Sequence, residues 1–276
     1  MSSNTNTDNC LPYNSLNVIL KQGDVTSMLV KYGVTQPIRD INIYRNAFVH
    51  RSYCTRKNEN FLEGNIQCPI DCIPLQEESN ERLEFLGDAV INLIVARYLF
   101  ERYPDENEGF LTKIRTKLVN GNMLATMSCM VHLENHVLIS KQIEENNGRN
   151  NKKIMEDCFE AFLGAMFIDH HQNRDGYKAV ETWLINFMEE NIDFSELITS
   201  NNNYKDVLLK YFQHNFNYLP KFLEVRTENT SNGKVYHVCI KDKNDVVIST
   251  GSGCNKKQAE NDCAKNALIH YGVYSL

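Results

Sequence analysis

Long apolar runs are absent from this 276-residue sequence. None approaches the roughly 18 consecutive apolar residues that a helix needs to cross a bilayer, so we expect no membrane-spanning segment and no membrane partner. The first ten residues hold no basic side chain and no apolar stretch, and they therefore lack the two features of a secretory signal. These absences favour a soluble protein that stays inside the cell, in the cytoplasm or the nucleus.

Cysteine does not occur in the even set that a disulfide-stapled secreted domain requires. The count is nine, and Cys158, Cys239 and Cys263 lie in apolar or helical patterns where a reduced thiol acts as a small hydrophobic side chain. We therefore expect a reducing compartment. Cys68 and Cys72 are separated by three residues instead of the usual two, and no second pair follows, so we do not expect a structural zinc site.

Positive charge is scarce over most of the chain, which holds 29 basic and 35 acidic side chains. Residues 204–276 hold 10 of the basic and 7 of the acidic ones, which leaves 19 basic and 28 acidic side chains before them. This contrast supports a division into two domains, which the length also favours. The acidic part would attract cations and the basic part would attract anionic partners.

The most informative stretch is residues 80–90, with the sequence NERLEFLGDAV. It predicts the start of a mostly apolar helix that Asn80 caps. Glu81, Glu84 and Asp88 stand at i, i+3 and i+7, so their carboxylates lie along one stripe of that helix. No basic residue lies three or four positions from any of them, so the acids repel one another unless a cation joins them. The alternative is an exposed acidic face whose apolar residues are on the other side.

A second stretch repeats the pattern at residues 156–169, EDCFEAFLGAMFID. Asp157 and Glu160 stand at i and i+3 on a helix whose other positions are mainly apolar. Two such helices are suited to pack face to face around divalent ions. Oxygen ligands of this kind favour magnesium or manganese over zinc, and metal-assisted phosphoryl chemistry is the obvious use of such a site.

These two stretches resemble the signature and the second acidic motif of the ribonuclease III family. Residues 47–53 (AFVHRSY) and 108–115 (EGFLTKIR) resemble two further motifs of that family, in the expected order. The resemblance implies an all-helical catalytic domain, cleavage of double-stranded RNA, and a magnesium cofactor that manganese can replace. It also implies roles for individual residues: Glu84, Asp88, Asp157 and Glu160 as metal ligands, Glu81 and Glu108 as auxiliary acids at a subunit junction, and Phe85 as part of a homodimer contact.

The same resemblance implies the products. An activated water attacks the phosphodiester in line and leaves 5′-phosphate and 3′-hydroxyl ends, and the two catalytic domains of a homodimer leave short 3′ overhangs. Such an endoribonuclease would act in RNA processing or degradation. The alternative is a catalytically silent protein that sequesters RNA duplexes, for example to suppress RNA silencing. Proteins of that kind lose chemistry by losing one acid, whereas all four acids are present here.

The pattern changes after the polar run at residues 200–203. A short helix, three alternating strands and a closing helix follow, and residues 251–260 (GSGCNKKQAE) lead into the last helix. This α-β-β-β-α order resembles the double-stranded-RNA-binding domain. The resemblance implies contacts from Lys256 and Lys257, because a helix start presents backbone N–H groups and these cations to RNA phosphates. Its other RNA-contacting positions are Asn255, Gln213 and Asn232, the last of which replaces a histidine of the family.

The predicted fold class is all-α followed by α+β. The predicted organisation is a disordered tail at 1–15, a catalytic domain at 16–196 with an insertion at 54–79, a linker at 197–203, and an RNA-binding domain at 204–276. Within the catalytic domain we predict helices at 16–32, 43–53, 109–131 and 177–190, and a polar loop at 144–153.

Two features of the catalytic domain stay open from the sequence. Lys113, Arg115 and Lys117 lie on one predicted helix, where they either form a solvated face or contact the RNA backbone. His50 either packs among the helices or serves as a phosphate-binding or acid-base group.

Overall fold

The computed structural model describes residues 12–55, 67–171, 175–199, 204–230 and 233–273. Contacts within the chain divide it into two units, Met1–Leu197 and Ile198–Leu276. Among the described residues, no helix combines the length and the apolar composition needed to cross a membrane.

The first unit is helical, as predicted. In the described part of this unit, three short 3-10 turns, Arg51–Tyr53, Leu133–Asn135 and Gly148–Asn150, connect the helices. Within the described residues the α-helices are α1 (Gln22–Lys31), α2 (Ile41–Ala47), α3 (Glu81–Arg102), α4 (Glu108–Leu118), α5 (Gly121–Met130), α6 (Lys141–Glu145), α7 (Lys152–His171), α8 (Gly176–Asn191) and α9 (Phe194–Thr199).

Helix α7 lies at the centre of the first unit, and helices α2, α3, α5 and α8 pack around it. Its side chains Phe159, Phe162 and Met166 are fully buried. The ring of Trp183 on α8 contacts Phe162 edge-on, with ring centroids 5.5 Å apart. Because burying each large apolar side chain contributes about 1.5–3 kcal/mol, this packing can hold an acid-bearing helix in the core.

Helices α3 and α7 cross at two glycines, Gly87 and Gly164. A β-carbon on Gly87 would lie 1.8 Å from the backbone oxygen of Glu160, and one on Gly164 would lie 2.3 Å from the backbone oxygen of Leu83. A methyl group at either position would therefore push the two backbones apart. The close crossing places the acidic stripe of α3 opposite the acidic stripe of α7.

The predicted single helix at 109–131 is wrong, because the chain forms α4 and α5 with a break between them. Asn120 causes the break, because its side chain caps both the end of α4 and the start of α5. Its side-chain oxygen accepts a hydrogen bond from the backbone N–H of Met123 at 3.1 Å, and its amide donates to the carbonyl oxygens of Thr116 and Lys117. An asparagine at this position satisfies backbone groups that a continuous helix would satisfy internally.

Three other predicted boundaries also change. The helix predicted at 16–32 is restricted to α1, and Leu16, Val18 and Ile19 before it are exposed. The helix predicted at 43–53 ends at Ala47 and is followed by the separate turn Arg51–Tyr53. The polar loop predicted at 144–153 contains the end of α6, a 3-10 turn and the start of α7.

The N-terminal segment is held down from Pro12 onward, so residues 12–15 belong to the first unit and not to a disordered tail. The amide of Asn14 is buried and donates hydrogen bonds to the backbone oxygen of Ile139 at 3.1 Å and to Oε2 of Glu144 at 2.9 Å. Arg149 completes the arrangement by donating to Glu144 and to the side-chain oxygen of Asn17. Residues 1–11 of the predicted tail lie outside the described residues.

The described part of the predicted insertion at 54–79 packs beside the motif that precedes it. The hydroxyl of Tyr53 donates to the backbone oxygen of Ile73 at 2.6 Å, and Gln76 bonds the backbone of Tyr53 and Thr55. Residues 56–66 of the insertion, and 200–203 of the predicted linker, lie outside the described residues. Residues 197–199, which we assigned to the linker, belong to α9.

The second unit has the predicted α-β-β-β-α order: α10 (Tyr204–Phe216), β1 (Lys221–Thr230), β2 (Gly233–Lys241), β3 (Val247–Gly253) and α11 (Lys256–His270). The strands form an antiparallel sheet in the order β1-β2-β3. Both helices contribute to its core, which includes Leu208, Phe212, Val238, Ile240 and Leu268. The predicted fold class is confirmed for this unit.

Candidate active site and RNA-binding surface

Helices α3 and α7 bring the four predicted metal ligands to one place. Ligand oxygens of Glu84, Asp157 and Glu160 all lie within 4.8 Å of one another. Asp88 lies at the edge of this group, where it lines the same cavity as Glu84 and Glu160. Its Oδ1 accepts a hydrogen bond from the amide of Asn92 at 2.8 Å. The spacing on two separate helices therefore predicted a three-dimensional cluster.

Negative charge in this cluster is costly. Glu160 is only 5% exposed, and its pKa is raised to about 8. The first cause is burial, which disfavours the charged form, and the carboxylates of Asp88, Glu156 and Glu84 add to it. Burial and the carboxylate of Asp157 also raise the pKa of Glu84. The arrangement favours whatever cation can enter it.

Lys153 supplies part of the positive charge that the sequence analysis found missing. Its Nζ lies 2.7 Å from Oδ1 of Asp157, 3.6 Å from Oε1 of Glu84 and 3.7 Å from Oε2 of Glu156. A hydrogen bond to Asp157 is the main reason that the pKa of Lys153 is raised. One ammonium group does not balance the several carboxylates around it.

Glu156 is a further carboxylate that the sequence analysis did not select. It lines the cavity that holds Glu84, Asp88 and Glu160. A β-carbon on Gly121, the first residue of α5, would lie 2.5 Å from its Oε2. The carboxylate therefore lies against a helix start, where the backbone dipoles favour negative charge.

The cluster fits a divalent cation. The cavity between α3 and α7 has a volume of about 350 Å³, so an ion could keep coordinated water beside the protein oxygens. A donor set made only of carboxylates is the chemistry that magnesium and manganese prefer, whereas zinc prefers nitrogen and sulfur. The buried, protonation-prone Glu160 is the side chain that would gain most from such an ion.

The two auxiliary acids lie in different places. Glu81 borders the cluster, and its Oε1 is 3.8 Å from Nη1 of Arg51. Glu108 begins α4, where its carboxylate accepts a hydrogen bond from the hydroxyl of Thr112. Glu108 lines a separate cavity that includes Phe100. One copy of the chain does not bring Glu108 to the cluster.

Phe85 does not pack in the core of its own unit. Its side chain is 81% exposed on α3, one residue after Glu84, and Leu93 and Phe100 on the same helix are also exposed. Exposed large apolar side chains in a row are a common feature of protein interfaces. Core packing of Phe85 within one subunit is therefore excluded.

Of the predicted RNA-contacting residues, Lys256, Lys257 and Gln213 are exposed on the second unit. Asn255 caps α11, because its side-chain oxygen accepts the backbone N–H of Gln258 at 2.9 Å. Lys256 Nζ lies 3.5 Å from Oε2 of Glu224, a surface pair of the kind that contributes little. Asn232, the remaining predicted contact, lies outside the described residues.

The basic side chains of α4 are not equivalent. Lys117 Nζ donates a 2.6 Å hydrogen bond to the backbone oxygen of Leu197 and is partly buried. Burial lowers its pKa. Lys117 therefore holds the end of the first unit, while the side chain of Lys113 is exposed.

Comparisons with known proteins agree with this architecture. Residues 40–187 match the family model described as ribonuclease-III-like, and residues 204–271 match the double-stranded RNA binding motif. The chain is 32% identical over 227 residues to ribonuclease 3 of Leptospira interrogans, covering 82% of each chain. It is 34% identical over 231 residues to ribonuclease 3 of Streptococcus mutans, covering 83% of this chain and 90% of that one.

Two further matches differ in coverage. The chain is 31% identical over 261 residues to a protein named "Probable ribonuclease 3" of Acanthamoeba polyphaga mimivirus, which is 94% of this chain but 47% of the viral one. This chain thus spans about half the length of that relative. The nuclease domain of ribonuclease III from Campylobacter jejuni matches 62% of this chain and 99% of its own, with 28% identity and a TM-score of 0.49.

A helical unit with carboxylates on two crossed helices, joined in one chain to a double-stranded-RNA-binding motif, defines a class of ribonucleases. The relatives of known name, at 32% and 34% identity and with most of both chains covered, indicate which family within that class. The chain belongs to the ribonuclease III family, a family of endoribonucleases.

Proposed function

We propose that the protein cuts double-stranded RNA by metal-dependent hydrolysis of phosphodiester bonds. The observation that supports this most is the group of Glu84, Asp157 and Glu160 oxygens within 4.8 Å of one another, in a chain that also carries the RNA-binding motif. A protein that only sequesters duplexes has no use for carboxylates gathered against their mutual repulsion.

The cofactor in this proposal is magnesium, which manganese can replace. Glu84, Asp88, Asp157 and Glu160 would hold it, because Glu84, Asp88 and Glu160 line one cavity and an oxygen of Asp157 lies within 4.8 Å of those of Glu84 and Glu160. A divalent ion at such a site supplies Lewis acidity and lowers the pKa of a coordinated water. Lys153 remains at the cluster as a fixed cation, where it offsets the negative charge that the scissile phosphate brings.

The products would carry 5′-phosphate and 3′-hydroxyl ends with short 3′ overhangs. An overhang on both strands requires two active sites, and we propose that two chains form a homodimer through the face of α3 that carries Phe85. The exposure of Phe85, Leu93 and Phe100 supports that contact. Glu108 would then reach a subunit junction, together with Glu81 at the border of the cluster.

The RNA-binding unit would dock the duplex through Lys256, Lys257, Asn255, Gln213 and Asn232. We keep residues 16–196 and 204–276 as the two functional domains, with residues 12–15 added to the first. The enzyme would act in RNA processing or degradation inside the cell.

A direct experiment incubates a long RNA duplex with the wild type and with Glu160→Gln, with and without magnesium. We expect wild type to yield short duplexes only with magnesium, and Glu160→Gln to yield none. End labelling reads the 5′-phosphate and the overhang. A matched control is Glu190→Gln, which removes an exposed carboxylate of α8 and should cut normally. If wild type binds the duplex but never cuts it, the protein is a sequestering protein and the proposal is wrong.

A further inference from the structure

A second cavity adjoins the carboxylate cluster. It has a volume of about 410 Å³ and shares Glu81, Glu84, Lys153 and Asp157 with the cluster. Its other walls differ in chemistry from the acidic cavity. We call it the basic cleft, after its cations Arg51 and Lys153. Besides the residues that it shares with the cluster, it is lined by His50, Arg51, Asn80, Ile143, Asn151 and Ile154.

The walls of the basic cleft are fixed by local hydrogen bonds. His50 begins the turn Arg51–Tyr53, and its Nδ1 accepts the backbone N–H of Ser52 at 3.2 Å. Asn151 precedes α7, and its side-chain oxygen accepts the backbone N–H of Lys153 at 2.9 Å. Arg51 and Lys153 are therefore carried on backbone segments whose ends are capped.

Two cations line the basic cleft beside the three carboxylates Glu81, Glu84 and Asp157, and a phosphate would meet Arg51 on the wall that lies outside the acidic cavity. Arg51 and Lys153 are both cationic, and Arg51 keeps most of its side chain in solvent, at 70% exposure. The nearest carboxylate to Arg51 is that of Glu81 at 3.8 Å, and exposed pairs of this kind hold their partners weakly. A guanidinium group can bind phosphate through two parallel hydrogen bonds, which a weak surface pair would not prevent.

The size and the remaining walls suit a nucleotide. Pockets that bind small ligands typically enclose about 300–1,000 Å³, and the basic cleft lies within that range. Ile143 and Ile154 give it an apolar wall, against which a ribose or a base can lie. Asn80 and Asn151 add amide groups at its border. A cavity lined by both cations and isoleucines matches a ligand with a charged end and an apolar body.

We propose that the basic cleft binds the nucleotide next to the scissile phosphate in the strand being cut, with the phosphate of that nucleotide on Arg51. The cleft shares Glu84, Lys153 and Asp157 with the carboxylate cluster. A ligand in the cleft would therefore belong to the same RNA strand as the phosphate that reacts at the cluster. This inference rests on the proposed function, because it names a substrate subsite of the same reaction.

The test uses short RNA duplexes in which one phosphate near the cut is replaced by an uncharged methylphosphonate. In the wild type, we expect one such replacement to lower kcat/KM about tenfold, the usual effect of losing one charge-assisted contact. In Arg51→Ala, the same replacement should have less than about a twofold further effect, because the partner is already gone. Arg51→Lys, which keeps the charge but loses the planar fork, should fall between.

The matched control is Arg82→Ala, which removes an exposed arginine of α3 that does not line the cleft. It should show the same loss on phosphate replacement as the wild type. If each phosphate replacement lowers kcat/KM by the same factor in Arg51→Ala as in the wild type, Arg51 contacts none of these phosphates. That result would overturn the cleft assignment. Failure of the wild type to cut an unmodified duplex would instead refute the proposed function.

Discussion

The two units of this chain hold their charged side chains in different surroundings. The first unit gathers carboxylates on two packed helices and leaves Glu160 only 5% exposed, whereas the second unit keeps Lys256 58% exposed at the start of α11. Water screens the second kind of charge and largely fails to screen the first. This difference indicates where single substitutions should matter. We expect cleavage to depend on each acid of the cluster, and docking to depend on the sum of several exposed cations.

The largest expected effect comes from neutralising one acid of the cluster. We expect Glu160→Gln and Asp88→Asn to lower cleavage by at least about a thousandfold, because a bound metal supplies several kcal/mol to such a reaction and each 1.4 kcal/mol is tenfold. Binding of the duplex should stay within about twofold, since the exposed lysines are unchanged. Cleavage rates and binding isotherms on the same duplex measure both effects.

Glu190→Gln is the control for the loss of one negative charge, and it should leave both measurements unchanged. If both cluster variants still cut at the wild-type rate, the metal-ligand assignment is wrong. If they lose binding as strongly as cleavage, the separation between a chemical unit and a docking unit is wrong instead.

The second prediction concerns the exposed aromatic beside the cluster. Phe85→Asp should give monomers that nick duplexes poorly, because burying such a ring contributes about 1.5–3 kcal/mol at an interface and a carboxylate there would repel its copy. Sedimentation velocity at micromolar concentration measures the assembly, and a gel of nicked against fully cut product measures the chemistry.

Val30→Asp is a matched control, since it places the same charge on another exposed apolar position of the first unit. It should remain a dimer. A wild-type protein that sediments as a monomer at micromolar concentration would contradict the dimer, whatever the variants do.

The third prediction uses the raised pKa of Glu160, which shifts from 4.5 to about 8. Between these two pH values the metal-free folded protein holds a proton that the unfolded chain has released. The free energy of unfolding should therefore fall as pH rises across this window. Glu160→Gln carries no such proton, so the wild type should lose about 10 °C or more in melting temperature relative to the variant.

Melting curves in chelator at several pH values test this, and magnesium is then added. Magnesium should raise the wild-type melting temperature most at the upper end of the window, where the carboxylate is ionised, and should raise that of the variant less. Parallel pH curves for the two proteins would mean that Glu160 titrates normally.

The smallest expected effect belongs to the second unit. Changing Lys256 and Lys257 together to Ala should reduce the slope of log affinity against log salt by about 1–2. It should weaken all duplex sequences alike, because phosphates carry no sequence information. Saturating RNA at low salt should restore most of the cleavage rate, since the carboxylates are untouched.

Lys243→Ala, in the turn after β2, removes an exposed lysine away from α11 and is the control. A double mutant with the wild-type slope would mean that these lysines do not meet RNA. A rate that stays low at saturation would mean that the second unit also positions the scissile phosphate.

Sequence reasoning located the four acids because helical spacing and apolar context are both local signals. Glu84 and Asp88 share one stripe, Asp157 and Glu160 share another, and the crossing of their helices brings them together. Lys153 was missed, although it precedes Glu156 and Asp157 by three and four residues, because it has no such spacing to the acids of the first stripe. Its contact with Glu84 on the other helix depends on packing, which no sequence spacing reveals.

The errors in the fold have a similar origin. Asn120 interrupts an amphipathic pattern that continues on both sides, so periodicity alone predicted one helix where capping makes two. Asn14 lies in a polar segment that composition assigns to a disordered tail, yet it is buried by Ile139 and Glu144, more than a hundred residues away. Such partners are found only in three dimensions.

The crossing of α3 and α7 has a consequence for how this site tolerates change. Gly87 and Gly164 set the distance between the two backbones, because each carries only a hydrogen atom where any other residue would carry a β-carbon. A single methyl group added at either glycine would widen the gap between opposing carboxylates without altering one of them. The separation of the carboxylates on α3 and α7 is thus set by two residues that have no functional group, and an alanine at either position should hold these carboxylates farther apart.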